Sequence, residues 1–192
     1  MGDLIEGLKY VARTPHVAWL MFLASLVIFV GMYFPMVPVY ARDVLKVGPQ
    51  GFGYLEASFG VGSVSIAWMG VVRRKGLVIV VAAMTVGGGF VVFGLSMIYA
   101  VTLVTQFVIG VAAAFWITSV TVVLQTTVPD EMRGRVMGVY FMAIQFMGFG
   151  WILGGYLAQT LGNVNALLIA GFAFMGFDML AYVSSKSIRE IN

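Results

Sequence analysis

Six apolar stretches dominate this chain, at about 17–40, 51–72, 77–98, 101–127, 135–159 and 165–183, and they carry almost no charge. Each can cross a hydrocarbon core about 30 Å thick as a helix, which takes about 20 residues at 1.5 Å per residue. Lipid offers the backbone no hydrogen bonds, so such spans must satisfy their own and are helical. The 192 residues are 61% hydrophobic and only 10% charged, against about 25% charged in a soluble domain. The expected fold class is therefore all-α and integral to a membrane. It has an interfacial amphipathic helix at 1–15, a six-span bundle at 16–185 and a cytoplasmic tail at 186–192.

The rarer residues exclude most chemistry. With no cysteine there is no disulfide, thiolate metal site or Cys nucleophile. His16 is the only histidine, so neither a His-built metal site nor a bis-His haem forms within one chain. No glycine run has the phosphate-cradling spacing. The chain is not expected to be an enzyme, and no cofactor or metal is expected.

Met1 to Arg13 places Leu4, Ile5, Leu8 and Val11 on one helical face and Asp3, Glu6, Lys9 and Arg13 mostly on the other. That pattern suits a helix lying in the membrane surface rather than a signal peptide. Glu6 stands where a myristoylation pattern needs Ser or Thr. Six spans put both termini on one side with the loops at 73–75 and 129–135. That side holds Lys9, Arg13, Arg73, Arg74, Lys75, Arg133, Arg135, Lys186 and Arg189, leaving only Arg42 and Lys46 opposite. The basic-rich side is cytoplasmic by the positive-inside rule. The formal charge of +3 thus reports orientation, and no nucleic acid is expected as a partner.

Pro35 and Pro38 interrupt the outer end of span one by removing backbone donors. Spans three and four form a tight hairpin around Tyr99-Ala100. Span two carries Gly60 and Gly62, and span five carries Gly148, Gly150, Gly154 and Gly155. Each three-span unit thus has its glycine-rich helix second, as in the 3+3 inverted repeats of secondary transporters. These glycines either pack helices within the bundle or meet a partner.

The stretch Pro129-Asp-Glu-Met-Arg133-Gly134-Arg135-Val-Met-Gly138 resembles the P-x-x-x-R-G-R-x-x-G cytoplasmic loop before the penultimate helix of the major facilitator superfamily. Glu6-Gly-Leu-Lys-Tyr10 with Pro15 is similar to the lead-in to that family's seventh helix and Pro35-Met-Val-Pro38-Val-Tyr40 to its outer end, and together with Gly51-x-Gly53-x-Leu55 they resemble the branch of enterobactin and macrolide exporters. The resemblance covers nearly the whole chain, as the C-terminal six-helix half of a twelve-helix transporter in the bacterial inner membrane. Gly70 to Gly76 keeps basic residues at the family's gating motif but lacks its aspartate.

The resemblance assigns spans one and four to cavity lining, and two and five to contact between halves. On span four Gln106, Gly110, Ala114, Thr118, Thr121 and Gln125 recur at helical spacing as a polar stripe. Ser25, Tyr33 and Gln145 are further cavity candidates. These groups either bind a solute or bond neighbouring helices. Glu56 and Asp178, the carboxylates inside spans, are candidates for proton coupling, with snorkelling to an interface as the alternative. Trp19, Trp68, Trp116 and Trp151 read as packing or belt residues.

Transport in this family takes two six-helix bundles, so the expected partners are the lipid bilayer and a second bundle, either another copy or a missing N-terminal half. The resemblance implies proton-coupled export of a small amphiphilic solute. The competing expectation is a non-transporting structural subunit that docks its helix faces onto a larger membrane complex.

Overall fold

The computed structural model describes residues 2–65 and 75–184. Trp68, the stretch from Gly70 to Arg74, Lys186, Arg189 and the 186–192 tail lie outside them. The described residues form ten helices: α1 Gly2–Arg13, α2 Pro15–Ser25, α3 Val27–Tyr33, α4 Met36–Asp43, α5 Gly48–Ser65, α6 Lys75–Leu95, α7 Tyr99–Thr127, α8 Asp130–Ile144, α9 Phe146–Leu161 and α10 Asn163–Ser184. Five stretches among them are long and apolar enough to cross a membrane: Pro15–Asp43, Gly76–Leu95, Tyr99–Thr127, Asp130–Leu161 and Asn163–Ser184. These are spans one, three, four, five and six. Helix α5 is the described part of span two, and the rest of the predicted 51–72 lies outside the described residues.

Two sequence boundaries are corrected. Span five starts at Asp130 rather than 135, so the arginine-rich motif is mostly the first two turns of α8. Pro129 precedes the helix, and Asp130 and Glu131 occupy its first turn, where negative charge meets the positive end of the dipole. The turn between spans three and four falls at 96–98, and Tyr99 already begins α7. The Tyr40 hydroxyl holds this turn, within 2.9 Å of the carbonyls of both Gly94 and Ser96.

Span one breaks at Pro35, as its sequence requires, and also at Leu26, which carries no such signal. At Leu26 the backbone bonds three residues back, Leu26 N–H to the Leu23 carbonyl and Phe29 N–H to that of Leu26. Just before it, Ser25 donates its hydroxyl to the Phe22 carbonyl at 2.7 Å, a back-bond that bends helices. Span five tightens likewise at Gln145, where Gly148 N–H reaches the Gln145 carbonyl.

The helices pair as span one with five, two with four, and three with six, while four also lies along three. Exchanging spans one to three with four to six maps the first pairing onto the second and the third onto itself. Glycines mark every crossing. A Cβ at Gly62 would overlap the Phe107 carbonyl, and one at Gly110 the Phe59 carbonyl. At spans one and five, Gly31 backs onto Met147 and Gly150 onto Ile28. Each glycine sits three residues after the carbonyl its own helix presents. Gly87 and Gly171 meet each other's helix in the same reciprocal way between spans three and six. The 3+3 inverted repeat is therefore written into the packing.

Trp116, Tyr33, Tyr40, Phe90, Phe93 and Phe174 fill the centre. Large apolar side chains such as Val64, Ile152, Phe172 and Leu180 are exposed, which suits a protein whose solvent is lipid.

Candidate functional site

Tyr33 on span one and Gln106 on span four are both buried, and the Tyr33 hydroxyl donates to Gln106 Oε1 at 2.5 Å. The tyrosine ring is fixed from two sides. It stacks on Phe90 at 4.3 Å with an interplanar angle of 11°, and Phe93 meets it edge-on at 5.3 Å. Glu56, half-buried on span two, is near enough for its charge to act on the Tyr33 hydroxyl. Two predicted site residues, from spans one and four, thus meet, with a third on span two within electrostatic range. Counted along each helix at 1.5 Å per residue, they lie about 10–15 Å from the helix ends at Asp43, Gly48 and Tyr99.

Span two is held against span four at two points that flank Glu56. Ser58 donates its hydroxyl to the Leu103 carbonyl at 2.8 Å, and Tyr99 to the Gly51 carbonyl at 2.9 Å. Glu56 therefore sits on a helix tied on both sides of it, by the Gly51 bond on one side and by the Ser58 bond and the Gly62 crossing on the other.

The polar stripe on span four does not form one face. Its spacing averages 3.8 residues against a helical repeat of 3.6, so between Gln106 and Gln125 it winds about 100° around the axis. Gln106 ends up buried against Tyr33, Gly110 is consumed by the crossing with span two, and Thr118 and Gln125 are exposed. Thr121 donates to the Ile117 carbonyl at 2.8 Å and accepts from the Tyr140 hydroxyl at 2.8 Å. Ser25 is committed to its own backbone. Gln145 is exposed at the joint of α8 and α9.

A second polar locus lies deeper towards the inner side. A cavity of about 30 Å³ is lined by residues of spans one, four and five, including Val27, Trp116, Val120, Tyr140 and Ile144. Its lining is almost wholly apolar, as in cavities that stay dry. The Trp116 indole N–H is buried without a partner, and its ring meets Phe174 edge-on at 5.3 Å. One turn further along α10 the Asp178 carboxyl is fully buried with neither oxygen hydrogen-bonded. Sequence reasoning missed Trp116 and Tyr140 as polar groups of the interior. Each is a single aromatic in an apolar run, and nothing in the spacing shows that its polar atom turns inward.

The larger groove, about 590 Å³ between α6 and α7, is apolar and contains none of the predicted site residues. Thr85 alone in it has a hydroxyl, which bonds the Val81 carbonyl at 2.7 Å. Its lining suits hydrocarbon.

At the inner ends, Arg133 donates Nε to the Gln125 carbonyl at 2.9 Å and pairs with Asp130 at 2.5 Å. Arg135 pairs with Glu6 of α1 at 2.9 Å. Pro129, Arg133 and Arg135 of the motif thus begin α8 and tie it to α7 and α1. Gly134 and Gly138 have open space where a Cβ would stand. The predicted interface glycines divide. Gly62, Gly150 and Gly154 are spent on crossings inside the chain, whereas Gly60, Gly148 and Gly155 face open space. Residues two apart on a helix point about 200° apart, so Gly60 and Gly62, or Gly148 and Gly150, cannot serve the same contact.

Comparison with known proteins agrees with this architecture. The sequence model of the Major Facilitator Superfamily matches residues 2–151. The multidrug efflux pump Tap of Mycolicibacterium fortuitum is 28% identical, over 100% of this chain and 48% of its own length. The uncharacterized MFS-type transporter YuxJ of Bacillus subtilis is 22% identical, over 96% of this chain and 49% of its own length. The chain spans about half the length of the curated relatives it matches.

Proposed function

The chain belongs to the Major Facilitator Superfamily, and from that premise we propose that it is one six-helix half of a proton-coupled exporter of small amphiphilic solutes. It works against a second six-helix bundle, in the bacterial inner membrane, with both termini cytoplasmic. The observation that carries this reading is the buried Tyr33–Gln106 bond between spans one and four, with Glu56 of span two within electrostatic range of Tyr33. A carboxylate there is expensive unless it serves transport or has a partner. Glu56 is the proton carrier in this reading, and the Tyr33–Gln106 pair links its position to spans one and four. Asp178, buried on the far side of the bundle, is a second candidate carboxyl.

The bare faces of spans two and five support the need for a second bundle. Gly60, Gly148 and Gly155 leave them smooth, and Tyr54, Val61, Phe149 and Ile152 are exposed around these glycines. Small residues let helices approach closely in lipid. Tap is named a multidrug efflux pump, which supports an amphiphilic cargo and outward direction.

The test is energised uptake of an amphiphilic fluorescent dye into inverted membrane vesicles containing the chain. Dye movement should follow an imposed proton gradient, and Glu56→Gln should abolish that dependence. Flux and pH dependence unchanged in Glu56→Gln would overturn the role of Glu56. Native mass spectrometry decides the partner: a second six-span bundle supports the transporter reading, and fixed stoichiometry with an unrelated membrane assembly makes the chain a structural subunit.

A further inference from the structure

Helix α1 has one broad apolar side, and packing within the chain uses only part of it. Gly7 is buried against the start of α8, where a Cβ would stand 2.8 Å from the Arg135 carbonyl oxygen and 3.2 Å from Val139 Cγ2. Leu4, Tyr10 and Val11 are partly buried around it. On the rest of it Ile5 is 52% exposed and Leu8 48% exposed, and Ala12 is exposed beside them. At 100° per residue these three fall within about 60° of one another, turned well away from Gly7. Lys9 and Arg13 follow at the next positions around the helix, both exposed.

The charges at this end of the bundle are unevenly compensated. Arg133 is paired with Asp130, and Arg135 with Glu6. Lys9 and Arg13 have no ion pair among the described residues. Among the described side chains at this end, the cations without an ion pair thus include the two that border the bare apolar stripe. The level also fits. Helix α1 ends at Thr14, whose extended backbone (φ −116°, ψ 94°) turns the chain into α2 at Pro15, and it rests on the first turns of α8. It thus lies where spans one and five both end, at the depth of lipid headgroups.

We propose that the free face of α1 is a binding surface for anionic phospholipid. Ile5, Leu8 and Ala12 seat at the acyl boundary, and Lys9 and Arg13 take the lipid phosphates. A stripe three residues wide is too narrow for a stable protein interface, but it suffices for an interfacial helix that adds charge attraction to a small apolar area. Because Glu6 bonds Arg135 at 2.9 Å, a lipid-seated α1 also fixes the inner end of span five.

The absence of cysteine makes the test direct. The full chain carrying Ile5→Cys is labelled with an environment-sensitive thiol dye and reconstituted into vesicles of phosphatidylcholine alone or with one quarter phosphatidylglycerol. The expected result is a blue-shifted emission and severalfold weaker quenching by neutral acrylamide in the anionic vesicles, reversed by high salt. Each cation should contribute about fivefold to the seated-over-free ratio. Adding Lys9→Gln and Arg13→Gln should make the two vesicle types indistinguishable. Equal quenching in both vesicles without these changes, or lipid dependence that survives them, overturns the proposal. Both residues are exposed and unpaired, so the variants leave the fold intact, and dye flux is not the readout.

Discussion

Gly31 and Gly150 lie back to back: a Cβ on Gly150 would stand 2.9 Å from the Gly31 Cα. With the mirrored contacts onto Met147 and Ile28, this is the closest kind of approach two helices can make. Lipid gives helices no hydrophobic reason to associate, so such backbone contact is what holds spans one and five together.

Gly150→Ala and Gly31→Ala should therefore each destabilise the bundle by about 1–3 kcal/mol, because the intruding methyl meets backbone rather than a movable side chain. Gly62→Ala and Gly110→Ala should behave alike, being their counterparts under the repeat. Gly60→Ala and Gly148→Ala should leave stability within about 0.5 kcal/mol, since nothing stands near them. Unfolding in mixed detergent, read by tryptophan fluorescence, separates the two groups. Equal costs in both would contradict the assignment of faces.

The Tyr33 to Gln106 bond makes a distinct prediction. Tyr33→Phe keeps the ring on Phe90 and Phe93 but orphans a buried amide oxygen. A double-mutant cycle with Gln106→Leu should give a coupling energy of about 1 kcal/mol, within the range of interhelical hydrogen bonds in membranes. If Glu56 depends on this pair for its position, Tyr33→Phe should also weaken the response of dye flux to the proton gradient more than it lowers stability. Additive single effects would mean that the bond contributes nothing.

Asp178 should show the opposite behaviour. Neither of its oxygens has a partner, so Asp178→Leu removes a desolvation cost and leaves no other group unsatisfied. Thermal stability in detergent should stay level or rise, while Asp178→Asn keeps the shape and serves as the control for transport. A large fall in stability in both variants would show that the carboxyl has an important contact after all.

How much of this was legible in the residues follows from what hydropathy and spacing measure. Span positions came within a few residues, because apolar runs against charged ends report a membrane directly. The bend at Pro35 was legible and the one at Leu26 was not, since only the first carries a residue that removes a backbone donor. Glycine pairs were visible as a feature, yet their division into Gly62 and Gly60 needs the rotation of the helix about its axis. The stripe from Gln106 to Gln125 failed as a single cavity face for the same reason: small departures from 3.6 accumulate over five turns. That Tyr33 and Gln106 meet could not be read at all, because nothing in one helix records the height of its neighbour.

Arg133 tests the arginine-rich motif as a structural element. Its guanidinium caps the Gln125 carbonyl near the end of α7, a position with no intrahelical donor, and holds Asp130 in the first turn of α8. The Asp130 contact is solvent-exposed and adds little on its own. The carbonyl contact should dominate, so Arg133→Ala should cost about 1 kcal/mol and Asp130→Ala less than half of that. Arg133→Lys should recover only part, since one ammonium cannot reproduce the guanidinium's two directed bonds. If Asp130→Ala proves as costly as Arg133→Ala, Arg133 acts through the charge pair inside α8 and not through the carbonyl that joins α8 to α7.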